Sequence, residues 1–157
     1  MTTDRFVLDA SVAAKWFLRE DHFLLAGKLL DKFLAEEIEF HAPVILQYEL
    51  GNLLTKAQRM VPGRITPEKA VEAYQSFFRL PIIFHEMNEE SGAVVLEFAN
   101  RFRRSFYDSA YICLSVRLGC QWLTSERSYR GQLPDGFPKD NILPLESLSD
   151  LQPELFR

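Results

Sequence analysis

Four carboxylates stand out among the 22 acidic side chains of this 157-residue chain because of where they fall. Asp9 ends the apolar run Phe6-Val7-Leu8. Glu49 interrupts a helical face otherwise made of Ile45, Leu46, Leu50 and Leu53. Asp108 lies in the first turn of a helix opened by Ser105, and Glu126 follows the run Trp122-Leu123-Thr124 by two residues. A charged Glu left unpaired on an apolar face costs several kcal/mol, so Glu49 calls for a cation. Four acids at one edge of a sheet relieve their mutual repulsion by sharing Mg²⁺ or Mn²⁺, ions that prefer oxygen ligands. Metal-assisted chemistry is therefore open to this set. Three of the acids also have a purely structural reading. Asp9 suits the N-cap of the helix after it, Asp108 the third position of a capping box with Ser105, and Glu126, beside Arg127, a solvated loop.

The elements around these acids decide whether they can meet. Phe6 to Asp9 reads as a buried strand, too short for a helix and apolar on both faces. Ala10 to Leu18 reads as helical, and Phe23 to Ile38 as a second helix with Ala26, Leu29, Leu30, Phe33 and Leu34 on one face. Phe40 to Pro43 is a short strand, and Val44 to Met60 a helix broken by Val61-Pro62-Gly63-Arg64. Thr66-Pro67-Glu68 marks a helix start, with Thr66 as N-cap. That helix runs to about Phe78, before an apolar strand over Leu80 to Phe84. Asn88 starts a helix to Phe102, and Ser105 starts another that Gly119 closes. Strands follow at Cys120 to Thr124 and at Ile142-Leu143, and the sequence after Pro144 predicts only marginal structure. Short apolar strands alternating with helices predict an α/β fold, a three-layer α/β/α sandwich with a mostly parallel central sheet. Residues 1–147 form the expected single domain and residues 148–157 a short tail. In such sheets the functional crevice lies beyond the carboxyl ends of the strands, where Asp9 and Glu126 fall.

Composition narrows the partners. With 18 basic and 22 acidic residues the chain carries a formal charge of −4. It cannot bind a polyanion through bulk charge and needs local basic patches or divalent metal. Without the four candidate acids the rest of the chain is neutral. Two cysteines make no disulfide framework. The 47% hydrophobic and 25% charged composition excludes disordered and collagen-like chains. The N-terminus has no signal-peptide pattern, and no run approaches the roughly 20 apolar residues of a membrane span. The expectation is a cytoplasmic chain with no membrane partner. Thirteen Phe and two Trp exceed what filling the core requires, which predicts an apolar interface and a homodimer.

Four segments, Val7-Leu8-Asp9-Ala10-Ser11, Glu49-Leu50-Gly51-Asn52, Phe106-Tyr107-Asp108-Ser109-Ala110-Tyr111 and Leu123-Thr124-Ser125-Glu126-Arg127, resemble the motifs of PIN-domain ribonucleases. The likeness is greatest to the small VapC-type toxins of prokaryotic toxin–antitoxin pairs, and it covers essentially the whole chain. The last segment departs from the pattern, with Glu126 where the family usually has Asp. The resemblance implies endonucleolytic cleavage of RNA with Mg²⁺ or Mn²⁺ as cofactor. It makes Asp9, Glu49 and Asp108 the metal-binding core and Glu126 a peripheral fourth acid. Ser11, Asn52 and Thr124 become candidates to orient carboxylates. They read equally well as a helix cap, an exposed amide and a strand-end hydroxyl. The resemblance further implies an antitoxin covering the acidic crevice. It places the dimer interface on the helices between Phe23 and Leu34 or between Val44 and Phe78.

Lys15, Arg19, Arg101, Arg103, Arg104, Arg127 and Arg130 flank the acids in sequence and are candidates to contact RNA phosphates on either side of the cut. A solvated charged face is the other meaning of such runs. The main alternative function is a non-catalytic PIN-like scaffold that binds RNA or protein. A haloacid-dehalogenase-type phosphatase also starts with a strand ending in Asp, but expects a second Asp where Ser11 stands.

Overall fold

The computed structural model describes residues 3–156; the outermost residues of the expected domain and tail, 1–2 and 157, lie outside it. In chain order the strands are β1 (Asp4–Leu8), β2 (Ile38–Pro43), β3 (Ile83–His85), β4 (Gln121–Thr124) and β5 (Ile142–Pro144). The α-helices are α1 (Ala10–Ala13), α2 (Phe23–Leu34), α3 (Ile45–Arg59), α4 (Pro67–Phe78), α5 (Glu89–Phe102), α6 (Phe106–Leu118) and α7 (Leu148–Leu151). Every strand pair is parallel, and the order across the sheet is β3-β2-β1-β4-β5. The expected α/β/α sandwich is what the chain forms, with the central sheet wholly parallel.

β1 stands in the middle of the sheet because Val7 and Leu8 are covered on both faces. Phe6 lies opposite Gln121 of β4, and Leu8 opposite Leu123. The chain goes from β1 to β2 on one side and later returns to place β4 on the other. The strand order therefore reverses about β1, and the crevice beyond β1 and β4 is the place where such folds put ligands.

Local sequence sets the ends of the helices. Thr66 caps α4 by accepting from Lys69 N at 3.3 Å, and Asn88 caps α5 in a capping box with Ser91. Ser105 caps α6 by accepting from Asp108 N at 3.1 Å, and Gly119 ends that helix with φ 64°, a conformation glycine adopts without strain.

Four expected boundaries are corrected. Helix α2 ends at Leu34, not Ile38, because Glu36 takes a positive φ of 60° and turns the chain into β2. The helix after Asp9 is α-helical only to Ala13 and tightens to a 3₁₀ turn over Ala14–Trp16. The strand expected from Leu80 is limited to Ile83–His85 at the sheet edge, with Pro81 just before it. The segment after Pro144 is not marginal, since Leu145, Leu148 and Leu155 are buried in the core. Burying a Leu side chain contributes about 1.5–3 kcal/mol, enough to fix three short turns.

Candidate functional site

Asp9 is the helix cap that its sequence position allowed, accepting from Ser11 N at the start of α1. Its backbone N–H donates to Leu123 O at 3.1 Å, tying it to β4, while its carbonyl accepts from Val12 and Ala13. The side chain is 3% exposed. Oδ2 accepts from Ser11 N at 3.2 Å, from the Ser11 hydroxyl in a very short bond, and from Thr124 Oγ1 at 3.2 Å. All three donors fall on Oδ2, and no hydrogen bond among the described residues reaches Oδ1. Ser11 and Thr124 are themselves held: Ser11 Oγ accepts from Ser125 N at 2.9 Å, and Thr124 Oγ1 accepts from Glu126 N at 3.0 Å. Two hydroxyls thus lock the central acid to the loop that carries the fourth.

Burial pushes the Asp9 carboxyl up to about 6; Ser11 opposes the shift, and Glu126 and Asp108 add to it. Glu49, on α3, is pushed up to about 7, chiefly by burial and then by Asp9, with Asp108 and Glu126 adding to it. The Tyr111 hydroxyl pulls Glu49 the other way, yet Glu49 Oε1 and the Tyr111 hydroxyl are both buried and neither reaches a partner in hydrogen-bond geometry. Asp108 Oδ2 accepts from Tyr129 OH at 2.9 Å. The reciprocal bond of a capping box with Ser105 is absent among the described residues, so the carboxylate is free of that role. Glu126 is exposed and precedes a 3₁₀ turn over Arg127–Tyr129 without capping it by its side chain.

The structure thus brings the acids near one another: Asp9 and Glu49 each feel the charge of Asp108 and Glu126, and Glu49 also feels that of Asp9. Among the described residues no three His, Cys, Asp or Glu side chains are drawn close enough to form a ready metal cage. Asn52 is exposed and makes no side-chain hydrogen bond among the described residues, so it stays outside the network.

The basic candidates divide. Lys15, Arg19, Arg127 and Arg130 line one polar cavity next to the acids. Arg101 packs over Phe102 and lines a separate apolar groove. Arg104 stacks on Tyr129 and Phe137, at 4.9 and 5.6 Å from their ring centres, and so backs the tyrosine that holds Asp108. Arg103 is exposed at the end of α5 with a left-handed φ of 53°.

Sequence reasoning missed Tyr111 and Tyr129. Tyr111 lies three residues after Asp108 on α6, a spacing that places both on one helix face and was available to find it. Tyr129 sits in a loop turn with no periodicity, so nothing local marked it.

A sequence model of the PIN domain matches residues 6–130, a span that contains all four acids. The chain belongs to the PIN domain family. Its fold is similar to the crystal structure of Mycobacterium tuberculosis VapC20, a sarcin–ricin-loop-cleaving toxin. That match has a TM-score of 0.60 at 17% identity and covers 86% of this chain and 100% of that one. Comparison with curated proteins gives no match. Among the described residues no helix is long and apolar enough to cross a membrane.

Proposed function

We propose that this PIN-domain chain is a metal-dependent endoribonuclease, the toxin of a toxin–antitoxin pair acting in the cytoplasm. The observation that carries this reading is the buried Glu49 Oε1 without a donor, facing the same crevice as Asp9, whose Oδ1 is also left open. The Tyr111 hydroxyl lies near this oxygen but reaches no hydrogen-bond geometry with it, and a carboxylate oxygen so placed in the field of three other acids suits a cation. The donor set is all oxygen, which suits Mg²⁺ or Mn²⁺. Asp9, Glu49 and Asp108 would hold the ion, with Glu126 reaching it from the exposed rim. A divalent ion bound there supplies Lewis acidity toward phosphate oxygen and makes a water more acidic.

The chain's own contribution is placement. Ser11 and Thr124 fix the Asp9 carboxylate, leaving Oδ1 open, and Tyr129 fixes that of Asp108. Such supporting bonds are what keep a ligating carboxylate in position. Cationic side chains beside the crevice offset the negative charge of an approaching RNA. The non-catalytic scaffold reading is not favoured, because a binding surface alone needs no glutamate with a buried, donor-free oxygen. A cognate antitoxin carrying cationic groups would neutralise the same crevice, and a homodimer would cover exposed Leu24 and Leu34 on α2 or Val71 and Phe78 on α4.

The test is cleavage of a structured RNA with Mg²⁺, Mn²⁺ or EDTA. Cleavage that requires the ion and is abolished by Asp108→Asn supports the proposal. Cleavage that persists in EDTA, or at the wild-type rate in Asp108→Asn, overturns it.

A further inference from the structure

The cavity beside the acids is built around cations in a chain that is acidic as a whole. It has a volume of about 640 Å³, and five cations line it against the carboxylates of Glu20 and Asp21. Four of these cations are Lys15, Arg19, Arg127 and Arg130. The fifth, Arg64, comes from the loop between α3 and α4 and had no signal in the sequence. We propose that this cavity is a subsite for a backbone phosphate of the RNA strand next to the one being cut; the nature of the strand rests on the ribonuclease reading above.

Lys15 gives the first argument. It is only 8% exposed, and its ammonium has a single carboxylate contact, Glu20 Oε2 at 3.4 Å. Good N–H···O bonds lie at 2.7–3.2 Å, and an ammonium has three donors to place. A buried charge so weakly paired is costly, and a second anion in the cavity would complete it.

Arg64 gives the second. It donates to Glu20 Oε1 at 3.0 Å and to Arg19 O at 2.6 Å, so it shares the acid that contacts Lys15 and fixes the turn that carries Arg19. On the opposite wall Arg130 is held by Glu146 at 3.0 Å and reaches Ser125 O at 3.4 Å. Arg19 and Arg127 have no ion pair among the described residues and are exposed. The cavity thus has a fixed frame and two guanidinium groups outside any ion pair among the described residues, Arg127 and Arg19, the latter 5.7 Å from the Phe23 ring centre; guanidinium groups bind phosphate through paired N–H donors.

Ser125 gives the third. It lines the cavity, and its N–H donates to Ser11 Oγ, which in turn holds Asp9. One residue separates the cation frame from the carboxylate crevice. A strand with one phosphate at the acids therefore has its neighbour within reach of the cavity.

The test is fluorescence anisotropy of a labelled single-stranded RNA on the full chain, in EDTA, over a salt series. Arg19→Ala, Arg127→Ala and Lys15→Met should each weaken binding about five- to tenfold. Each should flatten the log–log salt slope by about 0.7, the value for one lost phosphate contact on a single strand. Arg117→Ala, in the groove between α5 and α6, should change neither. Unchanged slopes in Arg19→Ala and Arg127→Ala overturn the subsite, as does an equal loss in Arg117→Ala. Arg19 and Arg127 are exposed, so their variants decide the question even if Lys15→Met fails to fold. Binding is read without metal or turnover, so a chain that did not cleave RNA would leave this result standing.

Discussion

The Tyr129 hydroxyl donates to Asp108 Oδ2 at 2.9 Å, joining a 3₁₀ turn after β4 to the first turn of α6. Tyr129 is itself pinned edge-on to Trp122 at 5.0 Å and lies under Arg104. Asp108 therefore takes its direction from a packed aromatic cluster. Tyr129→Phe keeps the packing and removes the donor. We expect a loss of about 1 kcal/mol in stability and about a 10- to 100-fold loss in metal affinity or activity, as for other residues that support a ligand. Thermal melts and Mn²⁺ titrations separate the two effects, and an unchanged Mn²⁺ titration would reduce Tyr129 to a packing residue.

The crevice also predicts a pH dependence. Asp9 rises from an ordinary 3.8 to about 6, and Glu49 from 4.5 to about 7. Between those limits the folded chain holds more protons than the unfolded one, so these two groups lower stability as pH rises. Their cost is absent below about pH 4 and complete only above about pH 8, once Glu49 has titrated in the fold. In EDTA, Tm should fall from about pH 5 to about pH 8, and excess Mn²⁺ should recover most of that fall. Glu49→Gln should flatten the profile. A Tm in EDTA that rises across this range in the parent, or an equally steep fall in Glu49→Gln, would remove the crevice as its source.

Asp9 and Glu126 are expected to behave unequally. Asp9 is buried and anchored on three donors, whereas Glu126 is exposed with one more rotatable bond than Asp. Glu126→Gln should weaken cleavage less than Asp9→Asn, and Glu126→Asp should be tolerated. Metal dependence of RNA cleavage in the three variants is the measurement. Equal inactivity of Glu126→Gln and Asp9→Asn would put Glu126 among the core ligands.

Ser11 and Thr124 share one acceptor oxygen, so their loss should not be additive. Ser11→Ala and Thr124→Val should each cost about 1–2 kcal/mol. The double variant should depart from their sum by more than about 0.5 kcal/mol, as residues of one network do. Denaturant melts of the four proteins give the cycle, and strict additivity would mean that each hydroxyl acts alone.

Much of this site is local in the sequence. Ser105, Asn88 and Thr66 mark helix starts by their side chains and Gly119 marks a helix end by its backbone freedom, and each is where its type predicts. Asp9 closing an apolar strand gives the crevice its first acid. The errors have a common physical origin. Ile38 lies four residues after Leu34, so helical periodicity continues through a turn that Glu36 makes by a left-handed backbone. Leu145, Leu148 and Leu155 look like isolated leucines in sequence but find one core. Arg64 meets Glu20 across 44 residues, and Thr124 meets Asp9 across 115. Pairings over such distances leave no local pattern to read.

The central position of β1 also dictates when the crevice can exist. During synthesis Asp9 and Glu49 emerge early, but one flank of β1 stays unpaired until Gln121–Thr124 appear. Until then Asp9 lacks the Thr124 donor, and Asp108 lacks Tyr129. Pairing of such distant segments is slow, because the intervening chain must first be ordered. The acids therefore take up their final arrangement only after the segment from Gln121 to Tyr129 has joined the fold.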